Sequence, residues 1–192
     1  MQIQDGTGTG KRLKIDSNNR AQVRAQSELV IAVKSLDDGD AYQMYCPSLT
    51  LGGVAEHNAF YFKNTSETRS FVINKYFLSW NGGDTNHNRI AFVKQYINAG
   101  APTANSTQFG AGNLNTGSGN VASMTVYYWD GVGTTGMTQT AGTQAGELQI
   151  SQGVKVVDIQ GSTVIAPQDS ITISFTGEEV GKIGVTIEGY FD

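Results

Sequence analysis

Ser170-Ile171-Thr172-Ile173-Ser174-Phe175 and Lys182-Ile183-Gly184-Val185-Thr186-Ile187-Glu188-Gly189-Tyr190 decide the fold class. In the first run Ile171, Ile173 and Phe175 alternate with Thr172 and Ser174. In the second, Ile183, Val185 and Ile187 alternate with Thr186 and Glu188. A period of two places each apolar set on one face of an extended strand, over a core. Ala166-Pro167-Gln168-Asp169 and Thr176-Gly177-Glu178-Glu179 are rich in turn formers and bound the first run.

Working back towards the N-terminus, the same pattern recurs. Residues 147–150, 154–159 and 162–165 are short apolar runs at turn-like spacing. Residues 121–129, 89–97, 70–80, 59–62, 41–51 and 28–34 are rich in β-branched or aromatic residues and short enough to favour strands over helices. Pro47 makes 41–51 an edge or broken strand, since proline donates nothing to a ladder. The runs 59–62 and 70–80, separated by Asn64-Thr65-Ser66-Glu67, read as the clearest hairpin-like pair. No stretch carries a convincing helical period. The expectation is an all-β fold: an antiparallel β-sandwich of jelly-roll type spanning 28–192, with an N-terminal arm over 1–27.

Composition agrees. One residue in eight of the 192 is glycine, against a usual share of about 7%. One domain is expected at this length, large enough to fold without staples. The single Cys46 excludes an internal disulfide framework and a cysteine-based zinc ribbon. No apolar run reaches the 18 or so residues of a membrane helix, and no secretory leader is evident. From Gln95 to Gly146 the only charged residue is Asp130. Within that window, 98–120 and 131–146 are long Gly/Thr/Asn-rich loops. An exposed surface without charge lacks the usual solubility device, so these loops are expected to pack against another subunit, with a polar ligand site as the competing reading.

The net charge of −4 hides an asymmetry: residues 1–34 carry +3 and the remainder −7. A basic arm with Lys11, Arg12, Lys14, Arg20 and Arg24 can dock on an acidic partner or on a neighbouring copy. Nucleic acid is a weaker partner, because the acidic body repels phosphates and the arm lacks interleaved aromatics.

Chemistry is hard to find. His57 and His87 stand in no metal-binding spacing. Asp37-Asp38-Gly39-Asp40 invites a calcium reading but lacks the EF-hand spacing. Cys46 has no local base, and there is no Gly-x-Ser-x-Gly elbow. Asp84, Asp130 and Asp158 are among many acids from which no glycosidase pair stands out. Gly6, Gly8 and Gly10 precede no strand–helix unit, so a phosphate loop fails on context. No catalytic, cofactor or metal residue is assigned. Trp80, Tyr127, Tyr128 and Trp129 are the best ligand candidates, since flat rings stack on sugars. Their more usual role is as core or interface anchors.

Several segments taken in order carry a resemblance: Asp5-Gly6-Thr7-Gly8-Thr9-Gly10, Lys14-Ile15-Asp16-Ser17-Asn18-Asn19-Arg20 with Val23-Arg24, Gly39-Asp40-Ala41-Tyr42, Phe62-Lys63-Asn64, and Ile187-Glu188-Gly189-Tyr190-Phe191. The series resembles small structural proteins of tailed-phage virions and, among characterised groups, jelly-roll capsid decoration (cement) proteins. The resemblance spans nearly the whole chain, though each motif is short. It implies a non-enzymatic protein added to the outer capsid surface, often as a trimer, with the major capsid protein and itself as partners and no catalytic residue. The competing expectation is a tail-fibre or receptor-binding β-sandwich that recognises host-surface glycans.

Overall fold

The structure, a computed structural model, describes residues 34–51, 55–82, 90–131, 136–177 and 180–192. Among the described residues, a π-type turn, Lys34–Asp38, leads into eleven strands. These are β1 (Ala41–Leu51), β2 (Glu56–Asn64), β3 (Phe71–Gly82), β4 (Ile90–Ile97), β5 (Ser106–Phe109), β6 (Gly112–Asn113), β7 (Met124–Trp129), β8 (Thr143–Ser151), β9 (Gly153–Ile165), β10 (Ser170–Gly177) and β11 (Gly181–Phe191). They form two antiparallel sheets, of order β6-β1-β11-β3-β9 and β5-β7-β2-β10-β4-β8. The β-sandwich expected from the alternating runs is the observed fold. With β5–β7 set aside, the chain runs out through β1–β4 and returns through β8–β11. The pairs β1:β11, β2:β10, β3:β9 and β4:β8 fall alternately in the two sheets.

Strand β11 obeys its sequence pattern: Ile183, Val185, Ile187, Gly189 and Phe191 are buried, and the residues between them are not. Strand β10 goes further, because Ser170, Thr172 and Ser174 are buried as well. The reason lies in the uncharged window. Its residues 98–105 and 136–142 lie across the outer face of the six-stranded sheet and supply hydrogen-bond partners there. Ser170 Oγ donates to the Ala99 carbonyl at 2.7 Å, and Gln139 Nε2 donates to Thr172 Oγ1 at 2.9 Å. Buried hydroxyls are tolerated when paired in this way. Part of the loop surface expected between subunits therefore packs on its own sheet, while residues 98, 101, 103, 104, 107, 108, 110, 112, 114, 116, 117, 119–121, 138, 140, 141 and 143–146 remain exposed.

The runs 59–62 and 70–80 are not a hairpin. They belong to β2 and β3, which lie in different sheets. Each already has a neighbour on both sides, β2 between β7 and β10, β3 between β11 and β9. The connection turns a corner instead, held by Asn64. Its Nδ2 donates to Arg69 O at 2.8 Å, Ile165 O at 3.1 Å and Ala166 O at 3.2 Å, and its Oδ1 accepts the Ser66 N–H at 3.0 Å. At the same corner Phe71 packs edge-on against Phe62 and Phe191, each at 5.1 Å. Such pairs contribute roughly 0.5–1.5 kcal/mol beyond the area they bury.

Other expectations shift in detail. Residues 154–159 and 162–165 join in one strand, β9, whose register against β3 slips between Asp158 and Thr163. The break expected at Pro47 is a register shift between Cys46 and Leu49. Lys34 sits in the π-type turn rather than at the end of a strand, and residues 28–33 lie outside those described.

Candidate functional site

The sequence-predicted residues fall in different places. Lys11, Arg12, Lys14, Arg20, Arg24, Asp84 and His87 lie outside the described residues. Trp80 and Trp129 are core residues, each 1% exposed, so neither presents a ring to a ligand or to a partner. Tyr127 and Tyr128 are half-buried; Tyr127 lies against Tyr61, and Tyr128 against Phe109. The four aromatics therefore do not form a shared exposed platform.

The acidic turn is spoken for by cations of the chain itself. Asp40 Oδ2 accepts from Arg69 at 2.6 Å, and Asp38 pairs with Lys34 at 3.2 Å. Arg69 also lies 4.9 Å from the centre of the Phe191 ring, a cation–π arrangement that ties the turn to the core. Among the described residues no three His, Cys, Asp or Glu side chains gather as a metal ion would require. His57 is fully buried beside Trp129, with Nδ1 2.7 Å from the Ala55 carbonyl. Burial pushes the His57 pKa below its ordinary value, against the opposing pull of that carbonyl. Burial likewise pushes the Cys46 thiol up to about 12.

Two surfaces remain that the sequence reading did not single out. The first is the outer face of the five-stranded sheet. Tyr45, Thr186, Phe77 and Val156 stand in one cross-strand row on β1, β11, β3 and β9. Residues directly opposite one another share a face, so the row is continuous. The neighbouring row contains Gly184, Ser79 and Val154. Tyr45 is 61% exposed, Val154 72%, Val156 50% and Val164 55%. A shallow depression of about 200 Å³ lies over Gly184, lined in part by Tyr45, Phe77 and Val154. Gly184 makes it possible, because a Cβ there would run into the Ser79 hydroxyl. On the other side of the apolar row, Gln43, Glu188, Lys75 and Asp158 form a polar border. The signal was present in the alternation: if Tyr76, Leu78 and Trp80 point inward, Phe77 must point out.

The second surface is a cleft of about 370 Å³ on the outer face of the six-stranded sheet. Glu56 and Asn58 of β2 and Tyr96 of β4 form its floor, and Met137, Thr138, Gln139, Ala141 and Gly142 its wall. Glu56 accepts from Lys94 Nζ at 2.8 Å and from the Tyr96 hydroxyl at 2.7 Å. Burial raises the Glu56 pKa, but these two hydrogen bonds outweigh it and hold the carboxyl below its usual value. The bond to Glu56 raises the Lys94 pKa. The pair is thus ionised together, and the carboxylate is matched before any ligand arrives.

Comparison with protein-family models, with curated sequences and with solved structures finds no match.

Proposed function

We propose that this chain is a structural virion protein of a tailed phage, of the capsid-decoration type, which works by covering and bridging protein surfaces on the outside of the head. The observation that carries the reading is the apolar outer face of the five-stranded sheet. A solvated sheet face normally alternates apolar-in with polar-out, whereas here Tyr45 on β1 and Val154 and Val156 on the edge strand β9 point outward, with half-buried Phe77 of β3 in the row between them. A contiguous patch of that kind rimmed by polar groups is the usual mark of a contact surface. Covering these side chains contributes on the order of 1 kcal/mol apiece, since each is already partly shielded.

The strand pairing supports a jelly roll. Eight strands folded as a ribbon and rolled so that successive rungs alternate between sheets give that architecture. The basic residues Lys11, Arg12, Lys14, Arg20 and Arg24 extend the contact to acidic patches of the major capsid protein. A homotrimer places three such arms on one particle and multiplies a weak attachment. The role needs buried area and geometric fit, and it needs no reactive group.

The test is to mix the full chain with heads that lack it and, separately, with host cells. Retention on heads but not on cells is the expected outcome, and it is lost on deletion of residues 1–24. Retention on cells but not heads would overturn the reading in favour of a receptor-binding module. Undiminished attachment without residues 1–24 would remove the role of the arm.

A further inference from the structure

The cleft over the six-stranded sheet has features that a covering protein does not require. Its wall is built in place by two glycines. Gly136 has φ of +79°, and a Cβ there would fall on the backbone of Asn58. A Cβ at Gly142 would fall on the carbonyl of Ile97 and the amide of Ala99. Both ends of the 136–142 arch therefore touch the sheet backbone closely, as only glycine permits. Between them the arch is bonded on both sides. Met137 N donates to Asn58 O at 2.8 Å, Thr103 N to Thr138 O at 2.8 Å, Thr138 N to Ala104 O at 3.1 Å, and Gly100 N to Thr140 O at 3.1 Å. The result is a preformed recess, within the roughly 300–1,000 Å³ of ligand clefts.

The lining sets the class of occupant. Glu56 is its only charged residue and is already ion-paired, so an ionic ligand finds no unmatched partner. The other groups are amides and a hydroxyl (Asn58, Gln139, Thr138) beside the Tyr96 ring and Ala141, with Met137 buried behind them. Such a mixture fits a molecule with hydroxyls around its rim and C–H faces above and below. The Glu56 carboxylate, though paired, keeps lone pairs with which to accept from hydroxyls. We propose that the cleft formed by Glu56, Asn58, Tyr96 and the 136–142 arch binds one neutral sugar ring, either free or as the terminal unit of a glycan. It lies on the opposite sheet from the apolar face, and the proposal holds or fails independently of the decoration role.

The experiment is an amide-resonance titration of the full chain with methyl α-glucoside, methyl α-mannoside, methyl β-galactoside and N-acetylglucosamine, with sodium phosphate in parallel. At least one of the four sugars is expected to shift Asn58, Thr138, Gln139 and Gly142 saturably, while phosphate leaves them unmoved. Tyr96→Ala weakens that binding about tenfold or more. Ala141→Trp, at an exposed position on the rim, blocks the cleft without touching the core and abolishes the shifts. A glycan ending in the responding sugar, compared with the free sugar, distinguishes the two sources. No saturable shift with any of the four, shifts that persist in Ala141→Trp, or a response to phosphate instead would each overturn the proposal.

Discussion

Replacing Asn64 with alanine is the sharpest test of how the two sheets are joined. The side chain is fully buried, and its Nδ2 faces the carbonyls of Arg69, Ile165 and Ala166, while Oδ1 takes the Ser66 N–H. It thus clamps the β2–β3 corner to the end of β9. Two amide hydrogens fully serve only two of the three carbonyls, so alanine removes the equivalent of three hydrogen bonds. At about 1 kcal/mol each, with buried carbonyls left unpaired, the loss is about 3 kcal/mol or somewhat more. For a domain of this size that lowers the melting temperature by roughly 6–12 °C. Asn64→Asp keeps the shape but turns an acceptor towards three carbonyls, so its loss is at least as large. Both are read by thermal and urea unfolding. A shift of less than about 2 °C in both variants would refute the clamp.

Other outcomes follow from the same geometry. Gly136→Ala forces a positive φ on alanine and drives a Cβ into the Asn58 backbone, so it destabilises by about 1–3 kcal/mol in urea unfolding. Because the His57 pKa is depressed by burial, the unfolded chain binds the proton first. Stability is then complete above the unfolded value near 6.5 and falls as pH drops towards the folded value, by up to ~1.4 kcal/mol per pH unit. Urea midpoints across that window show this slope, which flattens in His57→Phe. Cys46, buried and with its thiol at about 12, resists a thiol-labelling reagent in the native protein and reacts on denaturation. Rapid native labelling would place β1 in frequent local opening.

The fold class was legible because β11 and the inward set of β10 carry an unbroken period of two. The sheet assignment of 59–62 and 70–80 was not, because proximity in sequence favours a hairpin. What decides otherwise is Asn64, whose partners Ile165 and Ala166 lie a hundred residues away. The burial of Ser170, Thr172 and Ser174 was hidden for a related reason: period two says which residues share a face, not whether a distant loop covers the other. The same limit concealed the cleft, whose floor and wall come from residues 56, 58, 96, 137–139, 141 and 142. The aromatics singled out for a ligand were misleading because size alone does not give direction. Trp80 and Trp129 went to the core, whereas Tyr45 and Tyr96, less conspicuous in the sequence, reached the surface.

The central claim is that the outer face of the five-stranded sheet works as a contact surface in a larger assembly. Sedimentation equilibrium of the full chain, compared with a Val156→Asp variant, tests it most directly. Val156 is half exposed on an edge strand, so the substitution leaves the core intact while placing a charge at the edge-strand end of the apolar row, next to Phe77. The account predicts an oligomer for the native chain, with a mass of three copies, and a shift to monomer in Val156→Asp without loss of the folded spectrum. A native chain that sediments as one copy, or an oligomer indifferent to the charge, would contradict it.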